Sequence, residues 1–190
     1  YQSYFSYMLA PFVTSEPVLF SSLAVFLHLF GAGFYNFFLL VTMVLNLLVS
    51  YLLFKRYRFG LVYALIFTFS TYVWIHLGVH PALPQLWVIA FFVHLLFKFD
   101  DKGWTGKRVF LLTSVLFGSI LISNYIGFFL LIFLSLHAVF TRGNLRHYLL
   151  IIFGSVIASA IILWPFVRIG YIAGSDYPTD SIFQIGVARP

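Results

Sequence analysis

Long apolar runs separated by short polar punctuation set the rhythm of the whole chain. Phe34 to Phe54 carries no charged residue and as a helix is long enough to cross about 30 Å of hydrocarbon; the basic stretch KRYR (Lys55 to Arg58) ends it. Gly60 to about His76 returns, the HPALP turn (His80 to Pro84) reverses the chain, and Gln85 to Phe97 runs back to KFDDKGWTGKR (Lys98 to Arg108). Val109 to Ser123 and Tyr125 to Phe140 read as a hairpin around SNY, closing on TRGNLRH (Thr141 to His147), and Tyr148 to about Val167 is the last run. Ahead of these, VLFSSLAVFLHLF (Val18 to Phe30) spans only about 13 residues, roughly 20 Å as a helix, before GAG (Gly31 to Gly33) stops it; a re-entrant or interfacial helix is predicted there. The pattern predicts an all-α, polytopic membrane helical bundle of about six transmembrane helices plus that one short helix. Residues 1–190 form a single transmembrane domain in this reading, with 1–33 an external segment and 168–190 an external polar tail. There is no internal repeat and no low-complexity tract.

Composition strengthens this picture. Apolar residues make up 62% of the 190 and charged residues 8%, with a mean hydropathy of +1.02. A soluble domain carries about 25% charged residues, and so few could not cover a water-facing surface. The absence of cysteine removes disulfides, thiolate metal sites and a cysteine nucleophile. The chain opens on Tyr1 with no charged n-region ahead of an apolar stretch, so no signal peptide is expected and the sequence reads as a piece of a longer one.

The net charge of +6 then reports orientation rather than a nucleic-acid partner. Lys55, Arg56, Arg58, Lys98, Lys102, Lys107, Arg108, Arg142 and Arg146 all fall in alternate connections, while the other connections hold only Arg168 and Arg189. Nine bases against two place 55–59, 98–108 and 141–147 in the cytoplasm. Glu16, His28, His76, His80, Arg168, Asp176 and Asp180 are then external or lumenal.

Candidate chemistry is sparse. His76 and His80 share one helix face if the helix continues to Pro81, but no nearby carboxylate supplies a third ligand, so no metal site is assigned. Beside Tyr72, Trp74 and Trp87 they read as interfacial imidazoles, or as donors to a lipid phosphate. His94 and His137 lie at similar depth near the cytoplasmic face, an arrangement that bis-histidine haem ligation would use and that snorkelling or interhelical hydrogen bonding also explains. Asn36, Asn46 and Asn124 are expected to bond between helices. Arg168 ends the last run where bases are scarce, as an anchor or as a counter-charge to a phosphate. Asp100 and Asp101, among lysines, are expected to be solvated. There is no Gly-rich phosphate loop, nucleophile elbow or HExxH stretch.

Several stretches together resemble one family. EPVLFSSLAVFLHLFGAGFYNFFLLVTMVLNLLVSYLLFKRY (Glu16 to Tyr57) is similar to the region after the first large external loop of GT-C-type membrane glycosyltransferases, a Pro-led short helix followed by a span ending in YLLFKR. GLVYALIFTFSTYVWIHLGVHPALPQLWVIAFFVHLLF resembles their next hairpin, with FS-x-Y, an external His and a return span. LLTSVLFGSILISNYIGFFLLIFLSLHAVF resembles the following short paired helices, and ILWPFVRIGYIAGSDYP the Pro-containing exit of the bacterial YfhO-like branch. The resemblance implies transfer of a sugar from a polyprenyl-phosphate donor to an acceptor on the external or lumenal face. It also implies an acidic external-loop residue as base or metal ligand, allows a divalent metal in the complete enzyme, and calls for cationic groups at the departing lipid phosphate. The first span and the acidic loop of the pattern would lie upstream of Tyr1. Glu16, just before Pro17, sits later than the usual catalytic position and is not given that role, so the catalytic base is unassigned. His76, His80, Arg168 and Glu16 are the candidate substrate contacts. Beside the lipid bilayer and the lipid-linked donor, no other partner is implied. A transporter or lipid-handling protein, a haem-binding subunit and a purely structural membrane subunit are the competing readings. The first of these calls for inverted repeats or charged midplane residues, which the sequence lacks.

Overall fold

The computed structural model describes residues 32–73, 84–141 and 144–173, and at 32–35, 124 and 165–173 it is the backbone that is described. Every regular element among these residues is an α-helix: α1 Ala32–Phe54, α2 Gly60–Thr68, α3 Trp87–Lys102, α4 Gly106–Ile122, α5 Asn124–Thr141 and α6 Leu145–Ala173. Within the described residues each of the six apolar runs is mainly helical, with shifted ends. α1 opens at Ala32, inside the expected GAG stop; the short helix predicted at Val18 to Phe30 lies outside the described residues. α2 breaks at residues 69–70 and helix resumes at 71–73.

The connection expected over 98–108 shrinks to 103–105, because both flanking helices run into it. α3 stops where Gly103 adopts φ 77° and ψ 159°, a region open almost only to glycine. Thr105 then caps α4, its hydroxyl accepting from the Arg108 backbone N–H at 3.4 Å. Arg108 staples the turn, its guanidinium donating to the carbonyls of Lys102, at 2.7 Å, and of Gly103. The α4–α5 hairpin turns on Ser123, whose extended backbone ends α4 and whose hydroxyl accepts from the Ile126 N–H at 3.4 Å to start α5. α6 keeps helical backbone past Val167 to Ala173, so Arg168 stands on the helix rather than at the head of a tail, and residues 174–190 lie outside the described part.

α1 packs on α2 and α3 through a polar stripe. Thr42, Asn46 and Ser50 recur every fourth residue and are buried, whereas Leu40, Val44, Leu48 and Tyr51 around them are exposed. Asn46 spans to the next hairpin: its amide donates to the Pro84 carbonyl at 2.8 Å and its oxygen accepts the Trp87 N–H at 2.7 Å, capping α3 from another helix. Gln85 donates to the Thr42 hydroxyl at 3.0 Å and accepts from the Trp87 indole at 2.8 Å. α3, α4, α5 and α6 share an apolar core. Phe92, Leu95, Leu96 and Phe99 meet Leu112 and Leu116, the stripe Ile126, Leu130, Leu134 of α5, and Tyr148 and Ile151 of α6.

The outer face carries the large apolar side chains: Phe140 is 83% exposed, Phe110 74% and Trp164 66%. In water each such residue would forgo about 1.5–3 kcal/mol of burial, a loss that hydrocarbon surroundings remove. Asn36–Phe54 and Leu145–Trp164 are long and apolar enough to cross a membrane, and their most apolar windows are only 17% and 22% buried, unlike the core helix of a soluble protein. Gly60–Val73 and Tyr125–Thr141 are shorter apolar helices.

Candidate functional site

Among the described residues a dense polar cluster lies where the C-terminal ends of α3 and α5 meet the start of α6. Asp100, in the last turn of α3, accepts from the Tyr148 hydroxyl at 2.6 Å, the Trp104 indole at 2.9 Å and the Asn144 amide at 3.4 Å through one oxygen. Its other oxygen meets His137 Nε2 at 2.7 Å. A carboxylate only accepts, so His137 holds its proton on Nε2. Aromatic rings close around the pair: Phe133 stacks on His137 with centroids 6.1 Å apart, Phe97 and Tyr148 meet it edge-on, and Trp104 stacks on His147 at 5.6 Å. Asp100 and His137 are 19% and 15% exposed, which corrects the expectation of a solvated Asp100; Asp101 alone is exposed. A signal was present in the sequence. Asp100 continues the inward stripe Phe92 and Leu96 by one further turn, and Tyr148 begins the stripe that runs through Ile151, Ser155 and Ser159.

On the other side of Phe97 a groove of about 180 Å³ opens between α1 and α3. Lys55, Arg56, Lys98 and Lys102 line it, over apolar walls from Leu52, Leu53 and Phe97. Asp101 and His94 complete the lining. The Arg56 guanidinium lies 5.7 Å from the Phe97 ring and 5.3 Å from Tyr57, close enough for cation–π attraction. Two of the three basic connections thus share one groove, and Asp100 ties the third to them through Asn144 and Tyr148. His94 and His137, the pair considered for haem, have different surroundings, His94 in the cationic groove and His137 on Asp100.

Of the residues singled out from sequence, Glu16, His76 and His80 lie outside the described residues, and Arg168 is placed by backbone alone. Arg168 follows Trp164 by four positions on α6, one turn further along the same face. Trp164 borders a second, apolar groove of about 430 Å³ between α4, α5 and α6, walled by Ile120, Phe128, Leu131, Val156 and Leu163. Inside it Ser159 presents a buried hydroxyl with no partner among the described residues. Ile120 lies in the last turn of α4 and Phe128 in the second turn of α5, so this groove lies toward the end of the bundle away from Asp100. No group of three or more metal-ligating side chains occurs among the described residues.

Among the described residues, fold and surface define an all-helical arrangement with two membrane-length helices, basic at one end and apolar-grooved at the other. No family model matches the chain, and no curated protein and no solved structure is significantly similar to it.

Proposed function

We propose that the chain is the multi-pass membrane core of a glycosyltransferase that moves a sugar from a polyprenyl-phosphate donor to an acceptor. In this reading all six helices cross the bilayer, the shorter ones tilted or packed in a thinned region. The basic connections 55–59, 98–108 and 141–147 face the cytoplasm, and the chemistry takes place on the opposite face. The observation that carries the reading is the apolar groove between α4, α5 and α6, with the Arg168 position one turn beyond its Trp164 rim. A groove of that composition accepts an isoprenoid chain, and a cation near its mouth is where the attached phosphate would need a counter-charge. The resemblance of Glu16 to Tyr57 and of the later hairpins to GT-C-type enzymes points to the same donor class.

The chemistry asked of these residues is limited. The acceptor attacks the anomeric carbon, the carbon–oxygen bond to the lipid phosphate breaks, and charge grows on the phosphate oxygens. Arg168, with His76 and His80 as donors, would stabilise that charge; the base that takes the acceptor proton is not assigned to Glu16 or to any other residue here. The test is release of polyprenyl phosphate from a polyprenyl-phosphate sugar by the complete protein in proteoliposomes. Arg168→Ala is expected to lower kcat/KM on the order of a hundredfold. Unchanged turnover in Arg168→Ala, His76→Ala and His80→Ala would remove all three from the site, and no release by the wild type across lipid-linked sugars would remove the transferase reading.

A further inference from the structure

The cationic groove at the opposite end is unused by the proposed transfer, and its make-up is specific. Lys55 and Arg56 from the turn after α1 converge with Lys98 and Lys102 of α3 on one concave surface, against the single carboxylate of Asp101. Among the described residues the only ion pair, Asp100 with His137, involves none of the four cations, so their charge is not spent inside the protein. Basic residues that only mark the cytoplasmic side need no groove and no apolar floor. Here Leu52, Leu53 and Phe97 continue the walls from the charged rim down toward the outward apolar face of α1, where Leu48 and Leu52 are exposed. A ligand that satisfies both parts carries a phosphate on an apolar tail.

We infer that this groove binds the phosphate headgroup of an anionic membrane lipid, the lipid's first methylenes lying on Leu52, Leu53 and Phe97. Lys55, Lys98 and Lys102 act as flexible point charges on the phosphate oxygens, while Arg56, stacked between the Tyr57 and Phe97 rings, offers a more fixed donor. A zwitterionic headgroup would bring its own cation into a surface already rich in them. The site requires the membrane-spanning reading of α1 and α3 and does not depend on transferase activity, so a protein inactive on lipid-linked sugars still tests it.

The experiment titrates phosphatidic acid, and phosphatidylcholine with the same acyl chains, into the complete protein in detergent, where insertion orientation plays no part. Bound lipid is counted by native mass spectrometry. Phosphatidic acid is expected to bind roughly tenfold more tightly than phosphatidylcholine, and Lys55→Gln/Lys98→Gln/Lys102→Gln to abolish that preference. A variant with the same charge loss outside the groove, Arg58→Gln/Lys107→Gln/Arg146→Gln, is expected to keep it. Equal loss in both variants would reduce the effect to diffuse surface charge and overturn the site. Displacement of bound phosphatidic acid by millimolar inorganic phosphate would assign the groove to a soluble phosphate and overturn the lipid. Should the triple groove variant fail to fold, Lys98→Gln at an exposed position is expected to weaken phosphatidic acid roughly threefold, and no change there would count against the site.

Discussion

Asp100 shows how one side chain can organise three helices. Its two oxygens take hydrogen bonds from Tyr148, Trp104 and His137, donors from α6, the α3–α4 turn and α5. Tyr148→Phe removes one of these and leaves the others in place, a loss of about 1 kcal/mol. Asp100→Ala removes the shared acceptor of Tyr148, Trp104, Asn144 and His137 at once and is expected to cost about 3 kcal/mol or more. Thermal unfolding of the two variants in the same detergent checks the order; equal small shifts would mean that Asp100 is as solvated as its lysine neighbours suggested. The neighbours misled because Lys98, Asp101 and Lys102 are exposed while Asp100, between them, points inward. Charge in a short sequence window reports the loop, whereas helical phase reports the face. Asn46 was legible for the complementary reason: an amide in the middle of an apolar run has few favourable options besides another helix, and its partners are Pro84 and Trp87.

Helix positions could be read from the apolar runs because six of them are bounded by residues that stop or start helices for local reasons, such as Gly103, Thr105 and Ser123. Their ends were less legible, since α3 runs past its apolar stretch into the Asp100 cluster and α6 continues past its own to Ala173. The α4–α5 hairpin adds a packing constraint that no hydropathy pattern carries. A Cβ on Gly127 would stand 2.4 Å from Ile120 Cγ1 and 2.7 Å from Ile120 Cα, so the two helices touch through a missing side chain. Gly127→Val therefore has to push α4 and α5 apart and is expected to destabilise by about 1–3 kcal/mol, the usual cost of overpacking. Gly118→Val on the same hairpin, where a Cβ meets nothing within 4 Å, is the matched control and is expected to be close to neutral on this count. Comparable losses at both positions would show that helix propensity, not contact, sets the cost.

For the molecule as a whole, the surface departs from a water-soluble fold more than the interior does: an apolar core remains, but polar side chains share the interior and large apolar ones cover the outside. Thr42, Asn46, Ser50, Ser119 and Ser155 are buried between helices while Phe110, Phe129, Phe140 and Ile161 face outward. Composition made that apolar exterior legible; the basic connections were expected on one side of a membrane, and Lys55, Arg56, Lys98 and Lys102 from two of them line one groove. The proposed substrate contacts were legible only as residue types, because Glu16, the His76–His80 pair and Arg168 come from three separate stretches and nothing local fixes whether they meet. The central claim is that the chain threads the membrane six times with its basic connections on one side. Since the sequence contains no cysteine, single cysteines can be introduced and probed with a membrane-impermeant maleimide in intact cells and again after permeabilisation. Tyr57→Cys, Gly106→Cys and Leu145→Cys are expected to label only after permeabilisation, and Val79→Cys, Asn124→Cys and Ser175→Cys in intact cells. Labelling of both sets from the same side would contradict the six-span arrangement, and with it the placement of the apolar groove and Arg168 on the face opposite the basic connections.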